Sequence, residues 1–319
     1  MTVVALAGGV GAGKFLRGLV RVVSPEDVTV IVNTGDDVRI HGLHVSPDID
    51  SVTYWLAGVA DRDRGWGRAG ETFRTAEELR RFGAPDAWFG LGDTDLAIHL
   101  FRTQLLQEGK SLSEATSEVA RRLEVSVAII PMTNDTVETR VDAVGEAGQP
   151  MDLHFQEYWV KRGALDDVKA IRYEGAAAAR PAPVVLEAIE EADAVLICPS
   201  NPVASIAPIL AIPGIRDALA ARRDRGAGVS PIIRGAPVRG MADKLLPVIG
   251  VEVSAAGAAS CYRGLIRGWV IDEVDRSLTS SVEQLGFDVV AAPTMMVDDE
   301  AAERVARAAL ELALSERHR

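Results

Sequence analysis

Asp36, Asp37, Asp48 and Asp50 place four carboxylates within fifteen residues of a 319-residue chain. Their repulsion has to be offset. A hard divalent ion with oxygen ligands, most simply Mg²⁺, would do so and would bridge phosphate oxygens at the same time. The alternative is capping, because Ser46-Pro47-Asp48-Ile49-Asp50 carries the Ser, the Pro and the acidic residues of a helix first turn. Upstream, Gly8-Gly9-Val10-Gly11-Ala12-Gly13-Lys14 has the spacing G-x-x-x-x-G-K, but Phe15 stands where a P-loop needs Ser or Thr for its metal. The dinucleotide pattern G-x-G-x-x-G is not completed either. What survives is a set of backbone N–H groups at a helix N-terminus, able to receive an anion with Lys14 beside them, or else a tight strand-to-helix turn.

Two further polar loops follow apolar runs. Ser200 and Asn201, between Pro199 and Pro202, offer a hydroxyl, an amide and backbone N–H groups to a phosphate; the competing reading is a turn that closes the strand. Thr133, Asn134 and Asp135 allow the same two readings. His41-x-x-His44 and the other histidines lack the H-E-x-x-H pattern of a zinc hydrolase. No G-x-S-x-G nucleophile is present, and Cys198 falls in an apolar run where a thiol is inert packing.

These loops need a frame. Hydrophobic residues make up 48% of the chain and charged residues 25%, a globular composition. The net charge of −12 argues against nucleic-acid or anionic-membrane partners, so an anionic small substrate needs local donors or a metal. Two cysteines suit a reducing compartment, and the first residues lack the features of a secretory signal, so a cytoplasmic protein is expected. The stretch from Ala194 to Ile215 has no charged residue, yet its four prolines argue against a spanning helix.

Strands are expected at Thr2–Leu6, Val28–Val32, Val125–Ile130, Ala194–Cys198, Ser230–Ile233, Gly268–Ile271 and Phe287–Ala291, with helical patterns between them. The reading is an α/β, Rossmann-like fold: a mainly parallel sheet with helices on both faces, in one domain over residues 1–319. It carries a mostly helical insertion at about 51–123, with Trp55, Leu79, Phe82, Leu96 and Leu100 among its expected core anchors. A β-hairpin excursion is expected at about 136–175, built on Arg140–Val144 and Met151–Trp159. In such sheets ligands bind beyond the carboxyl ends of the strands.

Taken in order, the motifs Leu6-Ala7-Gly8-Gly9-Val10-Gly11, Val32-Asn33-Thr34-Gly35-Asp36-Asp37, Ser46-Pro47-Asp48-Ile49-Asp50, Leu91-Gly92-Asp93-Thr94-Asp95, Pro131-Met132-Thr133-Asn134-Asp135, His154-Phe155-Gln156-Glu157, Pro199-Ser200-Asn201-Pro202 and Ser230-Pro231-Ile232-Ile233 resemble the 2-phospho-L-lactate transferases of coenzyme F420 biosynthesis. The resemblance implies an enzyme that moves a lactyl, enolpyruvyl or glyceryl phosphate from a diphospho-guanosine donor to the ribityl hydroxyl of the deazaflavin Fo, releasing GMP, with Mg²⁺. It implies Asp50 and Asp48 as catalytic residues, Asp50 contacting Fo. Asp36, Asp37 and Asp48 become the metal candidates. Gly8, Gly9, Gly11, Lys14, Asn33, Thr133, Asn134, Ser200 and Asn201 become the substrate-binding set, and a homodimer is implied as well. The competing expectation is a non-catalytic nucleotide-sugar-binding regulator of a related family.

Overall fold

The computed structural model describes residues 1–315. Its frame is a seven-stranded parallel sheet of β1 (Val3–Ala7), β2 (Val28–Val32), β3 (Ala128–Pro131), β4 (Ala194–Ile197), β5 (Gly226–Val229), β6 (Gly268–Asp272) and β7 (Asp288–Ala292), in spatial order β7-β6-β5-β4-β1-β2-β3. The Rossmann-like expectation holds. The order reverses between β1 and β4, which pair in parallel with Val3 opposite Ala194 and Leu6 opposite Ile197. That junction is a switch point, where the loops leaving two neighbouring strands diverge and open a crevice.

β1 is buried along its whole length because both faces of the sheet are covered. Val3, Ala5 and Ala7 join Phe15, Leu16 and Leu19 of α1 (Gly9–Leu19) and Val305, Ala306 and Ala309 of the helix Asp299–Leu314. Val4 and Leu6 point the other way, into a core with Ile189, Ile209, Leu245 and Tyr262. The period of two along the strand thus splits its side chains between two layers. Phe15, the residue that breaks the P-loop pattern, is fully buried core. Among the described residues no single helix is long and apolar enough to cross a membrane; the helical segments after β4, Pro202–Ala211 and Ile215–Ala221, are bent by 94° against each other.

Three expectations need correction. The strand at Ser230–Ile233 is Gly226–Val229 instead, and Ile232–Ile233 pairs with Ala236–Pro237 in a two-residue hairpin. Gly226-Ala227-Gly228 reads poorly as a strand, but the glycines are dictated by packing: a Cβ on Gly228 would lie 2.5 Å from the indole of the buried Trp269. The β excursion has three antiparallel strands, Glu138–Val144 lying between Pro150–His154 and Asp167–Glu174, and Glu157–Lys161 forms a wide helical turn rather than strand. Finally, the insertion is helical only in part.

Its helices are α2 (Pro47–Leu56), α3 (Arg74–Arg81), α4 (Asp93–Gln107) and α5 (Leu112–Arg122), with irregular stretches at 57–73 and 82–92. Trp55 is buried as expected, whereas Phe82 is 82% and Leu100 53% exposed, because the outer part of the insertion encloses only a small core around Ile40, Val45 and Leu91.

Gly228→Ala tests the packing argument for β5. The added methyl group overpacks the Trp269 cavity, so chemical denaturation should show a loss of about 1–3 kcal/mol with an unchanged denaturant slope.

Candidate active site

Gly8 to Gly11 follow β1 and Pro199 to Asn201 follow β4, and the two loops touch because the first has no side chains in the way. A Cβ on Gly11 would collide with the Pro199 carbonyl, and one on Gly8 with Ser205 and the Asp48 carboxylate. Gly8 is tied to Ser200 twice: its N–H donates to Oγ at 3.3 Å, and Oγ–H donates to its carbonyl at 2.9 Å. Ser200 therefore locks the loop. Asn201 spends its side-chain oxygen on the Val203 and Ala204 N–H groups at 2.9 and 3.1 Å. Both residues line a cavity of about 800 Å³ at the switch point, together with Gly8, Gly9, Gly11, Lys14, Asp36, Asp48 and Asp50. That volume suits a drug-sized or nucleotide-sized ligand.

The carboxylates separate into distinct environments. Pro47 starts α2 and sets Asp48 and Asp50 in its first turn, but Ser46 does not cap the helix; its hydroxyl donates to Asp37 at 2.8 Å. The capping alternative thus fails for Ser46. Asp48 lies against the glycine loop, with Asn33 Nδ2 donating to its Oδ2 at 2.9 Å and the Gly9 N–H beside it. The same Nδ2 lies 3.3 Å from Asp36 Oδ1, and Gln156 Nε2 donates to Asp36 Oδ2 at 2.8 Å. Burial, then the neighbouring Asp48 and Asp37 charges, push Asp36 well above the usual carboxylate range. Burial likewise raises Asp48 to about 7, against the pull of the Asn33 bond. Neither carboxylate has a cationic partner among the described residues.

Asp37 and Asn33 do not line the cavity. Asp37 turns away to His44 Nε2 at 2.9 Å and Ser46, and burial raises it less effectively against those bonds. Asn33 sits behind the aspartates as their bridge, its Oδ1 accepting the Gly35 N–H at 2.8 Å. Thr133 and Asn134 are elsewhere. The Thr133 hydroxyl donates to the Arg180 carbonyl at 2.6 Å and Asn134 Oδ1 accepts from the Ser113 N–H at 2.8 Å, so this loop closes β3 against its neighbours as a turn. Cys198 is buried packing, its thiol pushed upward by burial.

Asp50 differs from Asp48 in having a full counter-charge. Arg102 on α4, completely buried, forks both guanidinium Nη groups onto the two Asp50 oxygens, one of them at 3.0 Å. Its Nη1 also lies 3.4 Å from His99 Nδ1. His99 Nε2 lies 3.3 Å from Asp95 Oδ1. Tyr54 donates to the same oxygen. Burial acts to raise Asp95, but the His99 and Tyr54 contacts outweigh it and hold it low. Tyr54 is pushed up by burial and by Asp50 and Asp95, so it remains a neutral donor. Arg102, Tyr54, His99 and Gln156 were not expected as site residues. Gln156 and Asp95 lay inside quoted motifs, whereas nothing in the sequence marks Arg102 as buried.

One further wall is aromatic and comes from the irregular parts of the insertion: Trp66, Phe73, Trp88 and Phe89, with Phe155 and Trp159 from the β excursion. Trp66 and Phe73 meet edge-on at 6.2 Å between centroids, and the Arg64 guanidinium lies 4.6 Å from the Trp66 centroid. The cavity therefore joins a glycine loop and buried carboxylates at one end to an aromatic wall at the other.

Residues 3–311 match the family of 2-phospho-L-lactate transferase CofD. The chain belongs to that family. It is 50% identical to a phosphoenolpyruvate transferase of Kitasatospora aureofaciens, over 100% of this chain and 99% of that protein. It is 49% identical to a phosphoenolpyruvate transferase of Streptomyces griseus, over 98% of each. A solved structure of a UPF0052 family member from Bacillus halodurans shares the fold, with a TM-score of 0.63 at 17% identity over 97% of this chain and 99% of that one. This family member is a transferase of phospholactyl-type groups in coenzyme F420 biosynthesis, and the regulator alternative is not favoured.

Two substitutions separate the carboxylates. A carboxyl group held above its unfolded value contributes stability that is full below about pH 4 and is lost as pH rises towards 7. Asp48→Asn removes that loss. In metal-free buffer its gain over wild type should be small at pH 4 and reach on the order of 2 kcal/mol at pH 8, by thermal unfolding, while turnover disappears. Arg102→Met should do the opposite. It strands Asp50 without its partner and should cost about 3–5 kcal/mol in the same measurement.

Proposed function

We propose that the chain transfers an enolpyruvyl phosphate unit from a diphospho-guanosine donor to the terminal ribityl hydroxyl of Fo, giving dehydro-F420-0 and GMP, with bound Mg²⁺. The observation that carries the choice of donor is the near-50% identity, over the full length, to proteins named phosphoenolpyruvate transferase. The geometry supports the reaction class. A diphosphate in a protein of charge −12 needs preorganised local donors, and the glycine loop at the start of α1 supplies backbone N–H groups.

Asp36 and Asp48 fit a hard cation. They are oxygen donors, adjacent, buried and without a positive partner, and their raised affinity for a proton measures the same unmet demand for positive charge. Among the described residues no group of three His, Cys, Asp or Glu is assembled to hold a metal alone, which suits Mg²⁺, an ion that completes its shell with water and substrate phosphate oxygens. Bound there, Mg²⁺ would supply charge stabilisation to the diphosphate.

Asp50, clamped by Arg102, keeps lone pairs free to accept the Fo hydroxyl and aim its oxygen at the phosphorus that carries the three-carbon group. The new bond forms between these atoms, and the bond from that phosphorus to the GMP oxygen breaks. The hydroxyl proton leaves late in a loose transition state and passes to the Asp50 carboxylate that accepts its hydrogen bond, or through it to water, so a weak base suffices. The aromatic wall gives the deazaflavin ring a flat surface.

The test is mass spectrometry of purified protein with Fo, Mg²⁺ and the lactyl, enolpyruvyl and glyceryl donors in competition. The expected outcome is GMP together with dehydro-F420-0 as the dominant product. Dominance of another product would reassign the donor, and absence of GMP with every donor would overturn the transferase reading.

A further inference from the structure

The charge of the cavity reverses away from the aspartates. Lys14, on α1, and Arg239, on the loop that follows β5, both line it, and neither is ion-paired with a carboxylate among the described residues. Lys14 Nζ lies 5.7 Å from the Trp55 ring centroid, near the far end of α2 from Asp48. Burial lowers its ammonium, and the Arg239 and Arg62 charges lower it further, so the cations act on one another across one corner of the cavity. Arg62 shares Asp299 with Arg17, at 3.1 and 2.7 Å respectively, and does not line the cavity. Arg239 is held by its Nη2, which donates to the Arg64 carbonyl at 2.7 Å, and its guanidinium occupies the space that a side chain at Gly65 would take. Two cations without an ion-paired carboxylate on the wall of one cavity, Lys14 half-buried and Arg239 exposed at its rim, form a local field that concentrates an anion.

The donor class under "Proposed function" carries anionic oxygens of two kinds, those of the diphosphate and the carboxylate of its three-carbon acid. The diphosphate belongs beside the glycine loop and the metal-binding aspartates. A carboxylate is repelled from Asp36, Asp48 and Asp50, and it lies only a few bonds from the reacting phosphorus. Lys14 lines the same cavity from α1, with its Nζ beside the Trp55 ring. Arg239 offers the planar fork that matches a carboxylate.

We propose that Lys14 and Arg239 form the subsite that binds the carboxylate of the donor's three-carbon unit. The subsite is common to the lactyl, enolpyruvyl and glyceryl donors, so it selects the donor class against plain guanosine diphosphate and does not choose among the three. The assignment rests on the transferase reading for the identity of its ligand.

The experiment measures binding by calorimetry and turnover with Fo, for wild type, Arg239→Met, Arg239→Lys and Lys14→Met. The ligands are the enolpyruvyl donor, its carboxamide analogue and GDP. Arg239→Met and Lys14→Met should each weaken the acid donor by about 10–100-fold, the loss of a charge-assisted hydrogen bond. GDP affinity should stay within about twofold and the preference for acid over amide should collapse, with Arg239→Lys restoring part of it. Equal weakening of GDP and donor would assign the pair to a phosphate and overturn the proposal, as would an undiminished preference for acid over amide. If wild type binds the acid in preference to the amide and the variants lose that preference, yet no donor turns over, the subsite stands and the transferase reading falls.

Discussion

Everything in the site depends on the absence of a side chain at Gly8. Its backbone lies between the Ser200 hydroxyl, which both donates to it and accepts from it, and the Asp48 carboxylate. Any Cβ there would push α2 away from the β1 loop or separate the loops of β1 and β4. The contact fixes where the N-terminus of α1 points and where the first turn of α2 lies, and so brings positive backbone dipoles against buried negative side chains. The two charges are compatible only at this short range. Moved apart, Asp48 would keep its desolvation and lose the N–H groups that temper it.

The spacing of Asp48 and Asp50 then divides the chemistry. Two residues along a helix are about 200° apart around its axis, so adjacent carboxylates on α2 face different neighbours. Asp48 meets the glycine loop and Asn33, without a cation. Asp50 meets Arg102 on α4, a buried ion pair in which both Nη groups reach the carboxylate. One carboxylate is left without a compensating charge, and the other is paired and immobile. A buried pair of this kind is weak evidence for stability, and its value here lies in the fixed direction of Asp50.

The sequence was legible where local pattern and tertiary role agree. Val28–Val32 is β-branched and buried, and its boundaries follow directly. The glycine loop, Asp36, Asp48, Asp50, Ser200 and Asn201 stand at strand ends or a helix start, where topology brings them together. β5 was displaced by four residues because its glycines answer to Trp269 and Ile266, contacts made far along the chain. Thr133 and Asn134 follow a sheet strand just as Ser200 does, but β3 is the edge strand and β4 stands beside the switch point. Position in the sheet order, which the local sequence does not carry, decides which polar loop reaches the ligand.

Arg102 was invisible for a more general reason. Helical periodicity assigns charged residues to the solvent face, and α4 has little contrast between its faces: Leu100 is exposed while His99, Arg102 and Thr103 are buried. The inward face of α4 is polar because it meets Asp50 and Asp95 rather than a hydrophobic core. The same cause shapes the whole insertion. Its private apolar cluster is small, and the loops that carry the aromatic wall are held by edge-on ring contacts, by Arg64 over Trp66, and by Glu71 and Asp93 accepting backbone N–H groups at 2.8–3.1 Å around the start of α4. The glycine loop, by contrast, is anchored through β1 in both main cores. Local opening is drawn from regions with few buried apolar contacts, and the aromatic half of the cavity has fewer of them than the glycine-loop half.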